Sequence, residues 1–351
     1  MKIIVVPRAL DLVNAIQFTR ELDQLKDQAH FVFDFKNLGR VEPFTMLIVA
    51  SQIKRLRERF SSSKFECTNF RSKSYAGHMG FFKAFGLDYG NSPGEAKGSD
   101  NYIPLTLYNC ESIEKEAAEE GKYVGDIIEA QSQTLAKILC KKASGEVHET
   151  LSYSLREIMR NVVEHSDAER FGVCAQSWPS KKLVEFAIVD RGKGLNESLS
   201  KNPHLDIADD KSAINYALMP AVSGRAFKGA PKQRQGHWSN SGFGLYMTSR
   251  IARNGGNFFI ASGKTGMLLT SKGGKRYFDC SLSGTAVRMV MKTEDMSELS
   301  KALQQYRKEG KEIQETYKEI INIDPSSASL MLSKDFDLSV WQKILKNLRG
   351  L

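Results

Sequence analysis

The stretch Leu151-Ser-Tyr-Ser-Leu-Arg-Glu157-Ile-Met-Arg-Asn161-Val-Val-Glu-His165-Ser166 leaves little freedom in what it folds into. Leu151, Leu155, Ile158, Met159 and Val162 recur at three- and four-residue intervals, the spacing of one apolar face of an α-helix. On that helix Glu157 and Asn161 stand four residues apart and are stacked on one face, with His165 continuing the stripe. A carboxylate and an amide oxygen so placed can hold a water and a Mg²⁺ ion. By itself the pair is a common feature of solvated helix faces.

Three further pieces follow in order. Leu183-Val-Glu-Phe-Ala-Ile-Val189 reads as a strand, and Asp190-Arg-Gly192-Lys-Gly194 follows at once. A carboxylate at a strand end, then glycines that permit close backbone approach, suits recognition of a purine amino group. Asn240-Ser-Gly242-Phe-Gly244-Leu245 leads into a helix whose unpaired amides and positive dipole end can receive phosphate oxygens. Last, Gly284-Thr285 opens the alternating run Ala-Val-Arg-Met-Val-Met291. Each piece alone equally fits a plain turn, cap or strand.

Together and in this order they resemble the GHKL ATPase superfamily, with its N, G1, G2 and G3 boxes and its Bergerat fold, over about 150 residues. The resemblance implies ATP and Mg²⁺ as cofactors. It implies Glu157 as general base, Asn161 as Mg²⁺ ligand, and Asp190 as acceptor for the adenine amino group with Thr285 helping through a water. It further implies that Gly192 and Gly194 leave room for the base, that Gly242, Gly244 and Leu245 cradle the phosphates, and that 195–241 form the lid. The run E-x-x-x-N-x-x-x-H from Glu157 to His165 is similar to the anti-sigma factor kinases. His148 lies nine residues before Glu157 on the same expected helix, so it does not fit the phosphoacceptor of histidine kinases. About 60 residues follow Met291 and read helical, too few for the transducer domain of the gyrase branch. The lid is long and carries Arg225, Lys228, Lys232 and Arg234, which could reach a γ-phosphate, touch nucleic acid, or simply be solvated. His237 and Trp238 read as packing residues.

The expected organisation is α/β (α+β). Residues 1–110 read as a small α/β domain: strands at 2–6, 31–35 and 64–70, helices at 10–22, 45–60 and 76–85, and Tyr102–Tyr108 as a closing edge strand because of its internal proline. This order resembles the STAS domain of anti-anti-sigma factors, a protein-interaction or dimerisation module. Glu42-Pro-Phe-Thr-Met46 stands where that family carries its phosphorylated serine, with Thr45 the nearest hydroxyl. Residues 111–144 read as a helical connector, 145–292 as the ATP-binding α/β sandwich, and 293–351 as a helical extension containing a long charged helix, Met296 to Ile321.

Composition narrows the class. The charge is +9 on 351 residues with a pI of about 9.1, which permits but does not demand a nucleic-acid or acidic partner. No apolar run approaches the ~20 residues of a membrane span, and the apolar stretch at the N-terminus is too short for a signal peptide, so a cytoplasmic protein is expected; the family resemblance implies a bacterial one. Five cysteines without a C-x-x-C pair read as incidental thiols. The functional expectation is a regulatory ATPase that drives a lid or domain rearrangement. The alternatives are a serine/threonine protein kinase of the anti-sigma type, and a non-hydrolysing ATP-gated switch that binds a protein or nucleic acid. A homodimer is compatible with either flanking segment.

Overall fold

A computed structural model describes residues 1–97, 101–225 and 242–294, with 304–306, 308–313 and 315. Most of the long helix expected over 296–321, the end of the 293–351 extension, and the lid residues Lys228, Lys232, Arg234, His237 and Trp238 lie outside the described residues.

The first part runs β1 (Lys2–Val5), β2 (Ala9–Leu10), α1 (Leu12–Asp23), β3 (His30–Asp34), β4 (Arg40–Val41), α2 (Pro43–Arg59), β5 (Lys64–Thr68), α3 (Ser74–His78) and α4 (Phe81–Ala84). β1, β3 and β5 form a parallel three-stranded sheet with β3 in the centre, while β2 and β4 pair separately. Phe31 and Phe33 are buried, as befits a central strand. The single helix expected at 76–85 is two short ones. They are parted at Gly80, whose φ of 85° no continuing helix can use.

The second part runs β6 (Tyr102–Asn109), α5 (Cys110–Glu119), α6 (Val124–Cys140), α7 (Glu146–His165), β7 (Arg170–Trp178), β8 (Leu183–Asp190), α8 (Gly194–Leu199), α9 (Asp210–Ala217), α10 (Gly244–Arg253), β9 (Asn257–Ser262), β10 (Thr265–Thr270), β11 (Lys275–Asp279) and β12 (Thr285–Lys292). These strands make one antiparallel seven-stranded sheet in the order β11-β10-β9-β12-β8-β7-β6. Tyr102–Asn109 is therefore an edge strand, as its proline suggests, but of this larger sheet and not of the N-terminal one. Residues 111–144 are helical but are not a free connector. Ile127, Ile128, Leu135, Ala136 and Leu139 of α6 are buried in the same core as Leu151, Leu155 and Met159 of α7.

Both faces of the sheet are covered, and side-chain size sorts them. Phe171, Phe186, Ile188, Phe258, Ile260, Val287 and Met289 point to the face under α6, α7 and α10. Cys174, Ala187, Ala261 and Ala286 point the other way, toward α2, with Phe259 beside them and Leu268 and Phe278 partly buried against the same cluster. Small residues let α2 lie close. A Cβ on Gly172 would sit 2.8 Å from Leu47 Cδ2. Pro43 to Ala50 are all buried, so the first half of α2 is apolar on every side, and only its second half has the basic outer face that its sequence suggests.

A charged triad ties α2 to the sheet. The Arg288 guanidinium reaches Glu185 at 2.8 Å and Glu42 at 3.2 Å, and Glu185 also accepts the Phe44 N–H at 3.0 Å. Burial, reinforced by Glu185 nearby, pushes the Glu42 carboxyl above the usual range. Thr45 is fully buried, its hydroxyl donating to the Glu42 carbonyl and accepting the Glu42 N–H. The one hydroxyl near the expected phosphorylation position is thus inside the protein.

Among the described residues no helix is long and apolar enough to cross a membrane. All five cysteines are unbridged, and burial pushes the thiols of Cys67 and Cys110 up to about 11 and Cys280 up to about 12. These three thiols stay protonated at neutral pH.

Candidate functional site

A cavity of about 570 Å³ opens between α7, the end of β8, α8, the start of α10 and the start of β12. That lies within the roughly 300–1,000 Å³ of ordinary ligand pockets. Its back wall is apolar, with Ile158, Val162, Ile188, Ile260 and Val287 among the lining residues.

One end is built around Asp190. The strand β8 carries it inward to 2 % exposure, because Ile188 and Asp190 share the face that α7 covers. Its Oδ1 accepts the Gly192 N–H at 2.8 Å. Burial pushes the carboxyl up to about 6, against the pull of the Gly192 and Thr285 N–H groups, which stabilise the anion. Thr285 lines the cavity beside it. The loop after Asp190 turns tightly under the end of α7. Lys193 N–H donates to the Ser166 carbonyl at 2.9 Å, and a Cβ on Gly192 would collide with that same carbonyl. Gly192 therefore serves helix packing, not the room for a ligand that its motif implies, and it does not line the cavity. Gly194 does line it. Ser262 pins this loop to the next strand, accepting the Leu195 N–H at 2.9 Å and donating to the Gly284 carbonyl at 3.1 Å.

The other end lies further back along α7. Here Glu157 faces the start of α10. A Cβ on Gly244 would lie 2.5 Å from Glu157 Oε2. The other oxygen, Oε1, accepts from Arg156 at 2.9 and 3.1 Å, and Arg156 also donates to Glu129 on α6 at 2.9 Å. Asn161 lies between the two ends, lines the cavity, and has a buried Nδ2 with no hydrogen-bond partner among the described residues. Gly242, Phe243, Gly244 and Leu245 complete the wall, and the first amides of α10 are left over by the helix itself.

Glu157, Asn161, Asp190, Gly194, Gly242, Gly244, Leu245 and Thr285 are thus brought to one cavity from four separate stretches of chain. Arg225 is not. It lies 3.6 Å from Asp167, which also pairs with Lys193 at 2.6 Å, and it does not line the cavity. Lys228 falls outside the described residues. Arg156, Arg160, Ser262 and Lys311 take part in the site without any signal in the motif spacing. Among the described residues no cluster of three or more His, Cys, Asp or Glu could hold a metal ion. A Mg²⁺ here would depend on Asn161 and on oxygens brought by its ligand, the usual manner in which Mg²⁺ meets phosphate.

No family model matches this chain, no curated protein matches it, and no solved structure matches it.

Proposed function

We propose that the chain binds Mg-ATP in this cavity and hydrolyses it, as a regulatory ATPase of the GHKL type. The observation that carries the reading is the pairing of two unlike ends in one cavity. One is a buried carboxylate held by a backbone N–H, and the other is a glycine-flanked helix start facing Glu157. The first suits a purine amino group and the second a polyphosphate.

In this reading Asp190 accepts the hydrogen bond of the exocyclic amino group, and the apolar wall of Ile188, Ile260 and Val287 receives the base. The amides at the start of α10 receive phosphate oxygens. A Mg²⁺ ion would be held by Asn161 and the phosphate oxygens and would supply charge neutralisation there. Glu157 orients a water through Oε2 and takes its proton as the water oxygen bonds to the terminal phosphorus. The bond to the bridging oxygen breaks, and the diphosphate leaves. Phosphotransfer to the N-terminal part is disfavoured, since Thr45 is buried.

The test is the fate of γ-labelled ATP with Mg²⁺. Free labelled phosphate that disappears in Glu157→Ala supports hydrolysis. Binding without release would leave a nucleotide-gated switch. Undiminished ATP binding by Asp190→Ala would overturn the assignment of the pocket.

A further inference from the structure

A second cavity, of about 430 Å³, opens on the other side of the sheet, between α2 and one end of β6, β7 and β8. Leu47, Ala50, Ser51, Lys54 and Glu58 reach it from α2, spaced by three and four residues along one helix face. From the sheet come Leu107, Gly172 and Val189, side by side in register on three neighbouring strands. Leu47 and Leu107 meet over Gly172, where a Cβ would lie 2.8 Å from Leu47 Cδ2 and 3.5 Å from Leu107 Cδ2. With Leu105 and Val189 they make an apolar floor. Val189 and Arg191 belong to this cavity, and Ile188 and Asp190 to the first, so the two stand back to back at the end of β8.

The rim is charged, and unevenly. Arg191 reaches across to α2 and holds both oxygens of Glu58 in its guanidinium fork. These hydrogen bonds, and then the charges of Arg191 and of Lys54 one helical turn back, hold the Glu58 carboxyl below the usual range. Arg170 is paired with Glu169 at 2.9 Å. Lys54, Arg170 and Arg191 thus line the cavity with only Glu58 and Glu169 against them, which leaves one positive charge over. The side chains of Arg191 and Glu58 are 35 % and 49 % exposed, and so exposed a pair opens at little cost. Lys54 stands at the i,i+4 spacing of helical ion pairs and can serve Glu58 when Arg191 leaves it.

We propose that this second cavity binds a small organic monoanion with an apolar body, of the medium-chain carboxylate class. The carboxylate takes the fork of Arg191, and the alkyl chain lies on Leu47, Leu105, Leu107 and Val189. A planar guanidinium matches a carboxylate with two parallel hydrogen bonds. One negative charge answers the one left over on the rim. The floor receives methylenes without stranding a polar group. The inference stands whether or not a nucleotide fills the first cavity.

The experiment is titration of the full chain, followed by methyl NMR, with butanoate, hexanoate and octanoate, and with uncharged octanamide. Affinity is expected to rise roughly ten-fold for each two methylenes added, the scale of burying them. Octanoate should bind roughly ten-fold more tightly than octanamide, the scale of a charge-assisted hydrogen bond. Arg191→Gln should remove that difference and leave octanamide unchanged. The methyls of Leu105, Leu107 and Val189 should shift, and those of Ile158 and Val287 in the first cavity should not. Ser51→Phe, which fills the second cavity from α2, should abolish binding, and the wild-type shifts locate the ligand even where that variant fails to fold. Equal affinity for octanoate and octanamide, no gain with chain length, or shifts confined to the first cavity overturns the inference.

Discussion

Glu157 and Gly244 meet so closely that the missing Cβ of Gly244 is what leaves space for the Glu157 carboxylate, 2.5 Å from where that carbon would be. The contact joins the middle of α7 to the first turn of α10. Gly244→Ala must push the carboxylate aside or tilt α10. Alanine is the better helix former by about 1 kcal/mol, so global unfolding is not the expected result. Phosphate release is expected to fall ten-fold or more, since a displacement of about 1 Å in a reacting group costs that much or more. Normal turnover in a folded Gly244→Ala protein would show that Glu157 does not act from this position.

Asp190 links pH to binding and stability with opposite signs. Its carboxyl is raised to about 6 from 3.8 by burial, so between those values the folded protein holds a proton that the unfolded chain releases. Its contribution to stability is complete below about pH 4 and is lost as pH rises through about 6, roughly 2–3 kcal/mol in all. The ionised form is the better acceptor for an amino group, so nucleotide affinity should fall as pH drops below about 6. Asp190→Asn should therefore raise the melting temperature at pH 7.5 while abolishing nucleotide binding. Thermal shift with and without ligand reads both effects, and a destabilised Asn variant would mean that Asp190 is held as an anion by more than its two N–H donors.

Arg156 occupies one oxygen of Glu157 and leaves the other toward α10. Removing it in Arg156→Ala should free the carboxylate to rotate. The expected signature is a fall of about ten-fold in kcat with KM for ATP within about two-fold, because orientation is lost rather than binding. A rise in KM alone would place Arg156 on the substrate instead.

Arg288 stands between two buried carboxylates, with Glu185 2 % exposed. Truncation in Arg288→Ala strands both and should cost about 3–5 kcal/mol in urea unfolding. A cost below about 1 kcal/mol would show that α2 is seated by its apolar contacts alone.

The residues that meet in the cavity are legible in the sequence where the signal is local. Glu157 and Asn161 are fixed by helical spacing, and Asp190 by the end of an apolar strand. These positions hold whatever the tertiary context. Interactions between distant stretches left no such trace. The proline in Tyr102–Asn109 marks an edge strand but carries no information about which sheet it borders. Nothing in the spacing ties Arg288 to Glu42, 246 positions apart, or brings Gly310 to Phe243. Gly192 was read correctly as a position that needs no side chain, but for a ligand, when the crowding atom is the Ser166 carbonyl. A glycine reports that space is short and not what fills it.

The face of the sheet beneath α2 bears on how the protein can be divided. Cys174, Ala187, Ala261, Ala286 and Phe259 share one buried cluster with the apolar side chains of the first hundred residues. Cutting the chain before β6 would leave these side chains, and the stranded charges of Glu185 and Arg288, facing water. The stretch that builds the cavity is therefore no autonomous unit. Expressed alone it would be a sticky half-protein, and its activity would report on aggregation before it reported on ATP.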